Sequence, residues 1–127
     1  IVVKNKATLQ KIAEITPNAR MAKEAPLAIV VCGDMRNESN DLVREFWVQD
    51  ASAATQNILL AAHAMELGAV WTGTYPAQNR CEAISQLLNL PSSIIPFSTI
   101  VIGYPKETQQ PKDKWKEENI SYEVFGE

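Results

Sequence analysis

The chain has 127 residues, of which 46% are hydrophobic and 21% are charged, and this composition is typical of one folded domain. Its formal net charge of −3 argues against a nucleic-acid partner or an acidic membrane surface. No apolar run has the length of a membrane span and no signal peptide is recognisable, so we expect a cytoplasmic protein.

The first quarter of the chain predicts strand, helix and strand in that order. The β-branched residues Ile1 to Val3 indicate the end of a strand, and because this strand starts without a Met we expect residues before it. Apolar positions from Leu9 to Ile15 predict a short helix, and Pro17 favours the start of a second one. The unbroken apolar run from Leu27 to Cys32 predicts a central strand that is covered on both faces.

The segment from Asp41 to Leu67 predicts one long helix. Asn40 is the expected N-cap, and Gly68 is expected to end the helix in left-handed geometry. Apolar or small residues follow two faces of the helix, which favours burial on both sides. We therefore expect a partner helix, from the same chain or from a second copy, against one of these faces.

The second half of the chain alternates strand and helix again. A short buried strand precedes the turn from Thr72 to Pro76, and a helix is predicted around Ala83 to Leu88, with Asn79 and Glu82 as a capping pair at its start. A strand is predicted from Ser98 to Gly103, followed by an extended surface segment from Tyr104 to Lys114. The alternating residues from Ile120 to Phe125 suit a strand or an arm laid on a neighbour. The economical arrangement is a mixed sheet with helices on both faces.

Side chains that carry chemistry by themselves are few. The sequence has no nucleophile-elbow motif, no GxxxxGK and no GxGxxG. Cys32 and Cys81 are far apart with no histidine at ligand spacing, so we predict no metal site, and His63 is interpreted as a partly exposed or core-edge residue. An enzyme that takes its reactivity from a cofactor and a non-enzymatic binding domain both fit these observations.

Several ordered segments resemble the FMN-dependent nitroreductase family. They are Trp47-x-x-Asp50, Ala53 to Ala62, Glu66 to Gly73, Leu90-Pro91, Pro96 and Ile102-Gly103-Tyr104-Pro105. The resemblance covers essentially the whole chain as a single domain, residues 1–127, without the family's N-terminal FMN-binding segment. It implies an α+β fold, in which a mixed, mainly antiparallel sheet forms a three-layer α/β/α sandwich. It also implies a homodimer with the active site at the interface.

The same resemblance implies the activity and its catalytic turn. The expected reaction is ping-pong: NADH or NADPH reduces FMN, and a nitroaromatic, quinone or similar small-molecule acceptor reoxidises it. In the family the matching turn directs backbone N–H groups to the flavin ring, so Thr72 and Gly73 are the candidate catalytic residues and Trp71 and Thr74 bind the cofactor beside them. A glycine at a strand end allows close approach of a flat ligand. An ordinary tight turn is the competing interpretation.

Three further residues are candidates for the FMN phosphate and tail. Lys112 and Lys114 alternate, so in an extended segment both ammonium groups can hold one phosphate. The family has a basic pair at this distance, and it has a polar residue that contacts the flavin tail where Asn18 falls. A solvated charge run is the alternative for the two lysines.

The missing N-terminal segment leaves a second function open. Its arginine- and serine-bearing motif normally helps to hold FMN, so the alternative is a catalytically incompetent relative that acts as a binding or assembly domain. A family member that consumes flavin itself or dehalogenates a substrate is a third possibility. The sequence does not favour this third possibility over the first two.

Overall fold

A computed structural model describes residues 1–36, 40–107 and 110–126. The strands are β1 Val2–Val3, β2 Leu27–Asp34, β3 Gly68–Gly73 and β4 Ile94–Gly103. The helices are α1 Lys6–Ile15, α2 Asp41–Glu45, α3 Trp47–Ala64 and α4 Gln78–Leu88, with 3-10 helices at Pro17–Lys23 and Glu117–Asn119. Among these described helices, none has the length and apolar character needed to cross a membrane.

The four strands form one sheet in the order β1-β2-β4-β3, and each neighbouring pair is antiparallel. β4 lies between β2 and β3, with Ile100 opposite Ile29 on one side and Trp71 on the other. Its central position explains why most of its residues are buried. β3 is an outer strand of the described sheet, and the candidate site lies at its end.

Helices cover both faces of the sheet. On one face the Thr55 hydroxyl of α3 lies 2.9 Å from the Ser98 hydroxyl of β4. On the other face Ile12 of α1 and Ile84 of α4 are fully buried in one core with Val101 of β4. Helix, sheet and helix therefore form three layers, as predicted for the α+β class.

The structure divides the predicted long helix into two helices and ends the second one earlier than predicted. The Asn40 side chain accepts from the Leu42 N–H at 2.9 Å, which confirms the predicted N-cap. Phe46 separates α2 from α3. The prediction that Gly68 ends the helix is wrong, because Glu66 is the left-handed residue, with φ 59°, and Gly68 already belongs to β3.

Hydrogen bonds explain why the helix ends at Glu66. The Leu67 N–H donates to the Ala62 carbonyl at 2.9 Å, and the Glu66 N–H donates to the His63 carbonyl at 3.0 Å. These two bonds form a Schellman motif, which satisfies the last carbonyls of α3. The Schellman motif requires a left-handed residue directly after the C-cap, which is Met65. Glu66 occupies that position and adopts the left-handed conformation although it is not a glycine.

α3 buries only one face within a single chain. Ala51, Thr55 and Ala62 are buried against the sheet. The opposite and flanking positions are exposed and mostly small: Ala53, Ala54, Asn57, Leu60, Ala61 and Ala64. Burial on both sides, as the sequence predicts, would therefore require a partner.

A bulge in β4 aims Phe97 at the candidate site. Val31 lies opposite Ser98 but the next residue, Cys32, lies opposite Pro96, so Phe97 is an extra residue on β4. Such an insertion changes the direction of the side chain that it carries. Phe97 therefore packs with aromatic residues at the start of α3 and the end of β3.

The chain beyond Gly103 carries little regular structure. The predicted surface segment from Tyr104 to Lys114 has no helix or strand where it is described, and residues 108–109 lie outside the described residues. The segment from Ile120 to Phe125 is not a strand, and Tyr122, Val124 and Phe125 are exposed. The alternative interpretation, an arm laid on a neighbour, stays a prediction.

Candidate functional site

The candidate site lies at the end of β3, where two threonines point into the protein. Thr72 and Thr74 are almost completely buried. The Thr72 hydroxyl donates to the Thr99 carbonyl at 2.7 Å, and the Thr74 hydroxyl lies 3.4 Å from the Thr99 hydroxyl. Because both hydroxyls are engaged inside the protein, the side chains of these two residues are not available to a ligand.

Main-chain hydrogen bonds fix the turn that follows β3. The N–H groups of Thr74 and Tyr75 both donate to the Phe97 carbonyl, at 3.1 Å and 2.9 Å. The Ala77 N–H donates to the Thr74 carbonyl at 3.0 Å. The backbone on the C-terminal side of Gly73 is therefore held against β4.

Gly73 is the residue of this turn that is open to a ligand. A Cβ placed on it would have no heavy atom of the described residues within 4 Å. Its carbonyl accepts from Arg80 Nη1 at 3.1 Å, so the carbonyl points away from β4. In an extended strand the N–H and C=O of one residue point to the same side. The Gly73 N–H therefore faces the outer edge of the described sheet, where it can donate to a ligand.

Four aromatic side chains, two of them on the strand and turn that contain Gly73, pack on one another. Trp47 meets Tyr75 at a ring-centroid distance of 4.8 Å and Phe97 at 5.9 Å, and Trp71 meets Phe97 at 5.8 Å. Phe97 is buried, whereas Trp71 and Tyr75 are 37% and 39% exposed. The partly exposed rings supply apolar surface that suits a flat, conjugated ligand.

The other predicted site residues are not joined to this turn. Asn18 lies in the 3-10 helix Pro17–Lys23, and Lys112 and Lys114 lie in the segment that follows residue 109. All three side chains are exposed. Within the described ranges, no hydrogen bond or ion pair connects any of them to residues 71–74. The structure therefore brings together Trp71, Thr72, Gly73 and Thr74, and their roles stay predictions.

A small cavity of about 260 Å³ lies between the end of β2 and the start of α3. Trp47, Asp34 and Asp50 are among the residues that line it. Arg36 Nε donates to Asp34 at 2.8 Å, and this side-chain hydrogen bond lowers the pKa of the Asp34 carboxyl to about 2. Burial raises the pKa of the Cys32 thiol in the same cavity, which disfavours the reactive thiolate. These pKa shifts make neither Asp34 nor Cys32 suited to proton transfer at neutral pH.

A larger cavity of about 540 Å³ lies at the opposite end of β3, next to Gly68. Met21, Val70 and Tyr104 are among its lining residues, and none of the predicted site residues is. Its walls are mainly apolar, with Glu24 and Lys106 as the charged groups. Size alone does not make it the functional site, because the predicted site residues of β3 lie at the other end of the strand.

Arg80 is a site residue that sequence reasoning missed. It occupies the third position of α4, and its guanidinium reaches back to the Gly73 carbonyl. Its position could have indicated this role, because the first turn of a helix favours acidic side chains and an arginine there is unusual. The sequence instead predicted a capping pair from Asn79 and Glu82. That prediction is wrong, because Ala77 is the N-cap of α4 and no side chain caps it.

The geometry agrees with a comparison against protein families. The model described as Nitroreductase family matches residues 2–104 of this sequence. The chain belongs to the nitroreductase family. The predicted family resemblance is thereby confirmed.

Individual relatives support the same assignment of this nitroreductase-family chain. One named "Putative NADH dehydrogenase/NAD(P)H nitroreductase", from Methanothermobacter thermautotrophicus, is 49% identical over 125 residues, which are 98% of this chain and 64% of the relative. The crystal structure of a protein of the same name from Bacteroides thetaiotaomicron has a TM-score of 0.90 at 42% identity, covering 98% of this chain and 71% of that one.

A third comparison names the cofactor of a family member. The structure of an FMN-dependent nitroreductase from Clostridium difficile has a TM-score of 0.85 at 28% identity, covering 98% of this chain and 74% of that one. These likenesses confirm the predicted α+β nitroreductase fold. The present chain spans about two-thirds to three-quarters of the length of these three proteins.

Proposed function

We propose that this protein is an FMN-dependent NAD(P)H oxidoreductase that reduces nitroaromatic compounds, quinones or similar electron-poor acceptors. The observation that carries the proposal is Gly73, whose open backbone and outward N–H stand at the end of a fixed edge strand. Membership of the nitroreductase family supports the reaction class. The names of the relatives support the donor and the cofactor.

The residues around Gly73 fit the ring system of FMN. The Gly73 N–H is a donor for a ring atom, and the absence of a side chain allows the ring to approach the backbone closely. Trp71 and Tyr75 supply apolar surface that excludes water from the same place. Thr72 and Thr74 act by anchoring the strand through their buried hydroxyls.

Bound FMN would supply the hydride chemistry, exchanging reducing equivalents between NADH or NADPH and the acceptor in ping-pong order. The side chains described near Gly73 are aromatic rings, buried hydroxyl groups and the Arg80 guanidinium, so the protein's part is to bind and orient the reactants. Thr72 and Gly73 remain the proposed catalytic residues, acting through their backbone.

We assign the FMN phosphate to Lys112 and Lys114 and the tail of the cofactor to Asn18. Both lysines are exposed, so their ammonium groups are accessible to an anion. A phosphate dianion favours such a pair because each contact is a charge-assisted hydrogen bond. This assignment requires the segment after residue 109 and the turn at Gly73 to meet on one ligand.

The proposed assembly is a cytoplasmic homodimer with the active site at its interface. Its support is the exposed, alanine-rich face of α3, which allows a second backbone to come close. Aromatic residues after residue 109 add to this support, because Trp115 is 71% exposed and Phe125 is 97% exposed. Exposed apolar surface of this kind marks an interaction site.

The experiment is an FMN titration of the purified protein, followed by steady-state assays with NADH or NADPH. We expect saturable uptake of one FMN per subunit and donor-dependent reduction of a nitroaromatic or quinone. A protein that takes up no FMN would overturn the proposal and leave the binding or assembly domain as the function. A protein that binds FMN without accepting electrons from either donor would overturn the reaction alone.

A further inference from the structure

Arg80 stands in a position that the stability of its own helix does not explain. It lies in the first turn of α4, where the helix dipole disfavours a cation, and no acidic residue lies in that turn. Its guanidinium leaves the helix and donates to the Gly73 carbonyl at 3.1 Å. The contact therefore serves the turn at the candidate site rather than the helix.

The contact completes the fixation of one peptide group. The peptide between Gly73 and Thr74 donates its N–H to the Phe97 carbonyl at 3.1 Å and accepts from Arg80 through its C=O. Glycine rotates more freely than any other residue, so without the second bond Gly73 would have the greatest freedom in the turn. Together the two bonds fix the plane of the Gly73–Thr74 peptide, and with it the rotation about the Cα–C bond of Gly73, before a ligand arrives. The Gly73 N–H belongs to the preceding peptide, so the contact acts by restricting the rotation between the two peptides at Gly73, and this lowers the ordering cost of binding.

The contact also places a positive charge beside the proposed flavin. A ligand atom that accepts from the Gly73 N–H would lie within roughly 10 Å of the Arg80 guanidinium, given ordinary backbone and hydrogen-bond lengths. That separation is comparable to the screening length at moderate ionic strength. Reduction adds negative charge to the flavin ring, so a cation at this distance favours the reduced form over the oxidised one.

We propose that Arg80 is a positioning residue that holds the Gly73 peptide and whose charge raises the reduction potential of the bound cofactor. The effect on the reduction potential rests on the proposed function. The positioning of the Gly73–Thr74 peptide concerns the protein alone. Among the described residues, one of the five N–H donors of the guanidinium is engaged, so the side chain can hold Gly73 while it faces an anionic ligand.

The test compares Arg80→Met with Arg80→Lys and with the control Arg20→Met. Arg20 is an exposed arginine in the 3-10 helix Pro17–Lys23, so its variant removes the same charge from a different element. Hydrogen exchange of the Thr74 and Tyr75 amides is measured in flavin-free protein. The midpoint potential is measured on the FMN-loaded protein by equilibration with reference dyes.

Arg80→Met should accelerate exchange at Thr74 at least about threefold and should weaken the affinity for reduced FMN roughly two- to tenfold relative to oxidised FMN. For a two-electron couple, a tenfold change corresponds to a potential lower by about 30 mV. Arg80→Lys should recover most of the potential, because it keeps the charge, but less of the exchange protection, because it lacks the planar fork. Arg20→Met should match the wild type in both measurements.

Two results separate this inference from the proposed function. If FMN binds and Arg80→Met matches Arg20→Met in both potential and exchange, the Arg80 inference is overturned while the proposed function stands. If the wild type binds no FMN, the proposed function and the role of the charge are overturned. Exchange at Thr74 then decides whether Arg80 holds the turn.

Discussion

The six-membered ring of Trp47 packs against the backbone of Gly33, in the space that a side chain at residue 33 would occupy. This contact joins the first residue of α3 to β2. The same indole packs edge-to-face on Tyr75 and Phe97. Trp47 therefore both packs α3 against the sheet and contributes to the aromatic cluster of the candidate site.

Gly33→Ala should destabilise the protein by about 1–3 kcal/mol, the usual cost of forcing extra volume into a packed site. The new Cβ would overlap Trp47 and would lie 2.8 Å from Met35 Cε, so the indole must shift. Equilibrium urea unfolding measures the change, with Gly73→Ala as the matched control, because the Cβ of that variant meets no atom within 4 Å. Equal unfolding free energies for the two variants would contradict this packing.

Local signals predicted those parts of the fold whose causes are local. Asn40 caps the helix that follows it, and Pro17 begins a 3-10 helix, because both effects act within one turn of the chain. The bulge at Phe97 and the break at Phe46 were not predicted. The bulge is set by the register between β2 and β4, which no single stretch of sequence contains.

The candidate site also has features that the sequence predicts and features that it does not. Gly73 could be predicted from its place in a family-like turn, and the structure adds that its backbone is open. The contact from Arg80 to Gly73 could not be predicted, because it depends on how α4 packs after the turn. Lys112 and Lys114 are predicted by their alternation alone, and the described residues hold no contact that brings them to Gly73.

Glu66→Gly should stabilise the protein by about 0.5–1 kcal/mol. Glu66 adopts φ 59°, a conformation that costs an L-residue roughly 1–2 kcal/mol and that glycine adopts without strain. The gain is reduced because glycine also increases the entropy of the unfolded chain. Thermal and urea unfolding measure it, and Glu66→Ala is the control that removes the carboxylate while keeping the strain. A gain of equal size in both variants would assign the effect to charge rather than to backbone conformation.

Gly73→Ala should leave the fold intact and weaken FMN binding at least about tenfold. The added methyl group meets no atom of the described part of the chain within 4 Å, but it occupies the space in which the flavin ring would approach the backbone. Tenfold corresponds to about 1.4 kcal/mol of binding free energy. Fluorescence titration with FMN measures the affinity, and Gly68→Ala, at the other end of β3, is the control. Unchanged affinity would show that the ring does not lie on Gly73.

Replacing Lys112 and Lys114 together by alanine should weaken FMN binding roughly hundredfold or more. Each charge-assisted hydrogen bond to phosphate contributes about 1.5–3 kcal/mol. Riboflavin lacks the phosphate, so its affinity should not change. The double variant Lys4→Ala/Lys11→Ala removes the same net charge from the exposed surface of the N-terminal region and should bind FMN as the wild type does. An equal loss for both double variants would indicate general attraction instead of a phosphate site.

Ala61→Arg should convert the proposed homodimer to monomers and abolish FMN uptake with it. Ala61 is exposed on α3 in a single chain, so an arginine there does not enter that chain's core. In a close helix pair, however, it would bury an unpaired charge, which costs several kcal/mol. Analytical ultracentrifugation at micromolar concentration measures the assembly, and circular dichroism checks that the variant is folded. Gln86→Arg, exposed on α4, is the matched control and should remain dimeric. A wild-type protein that sediments as a folded monomer while it binds one FMN would separate the cofactor site from any interface.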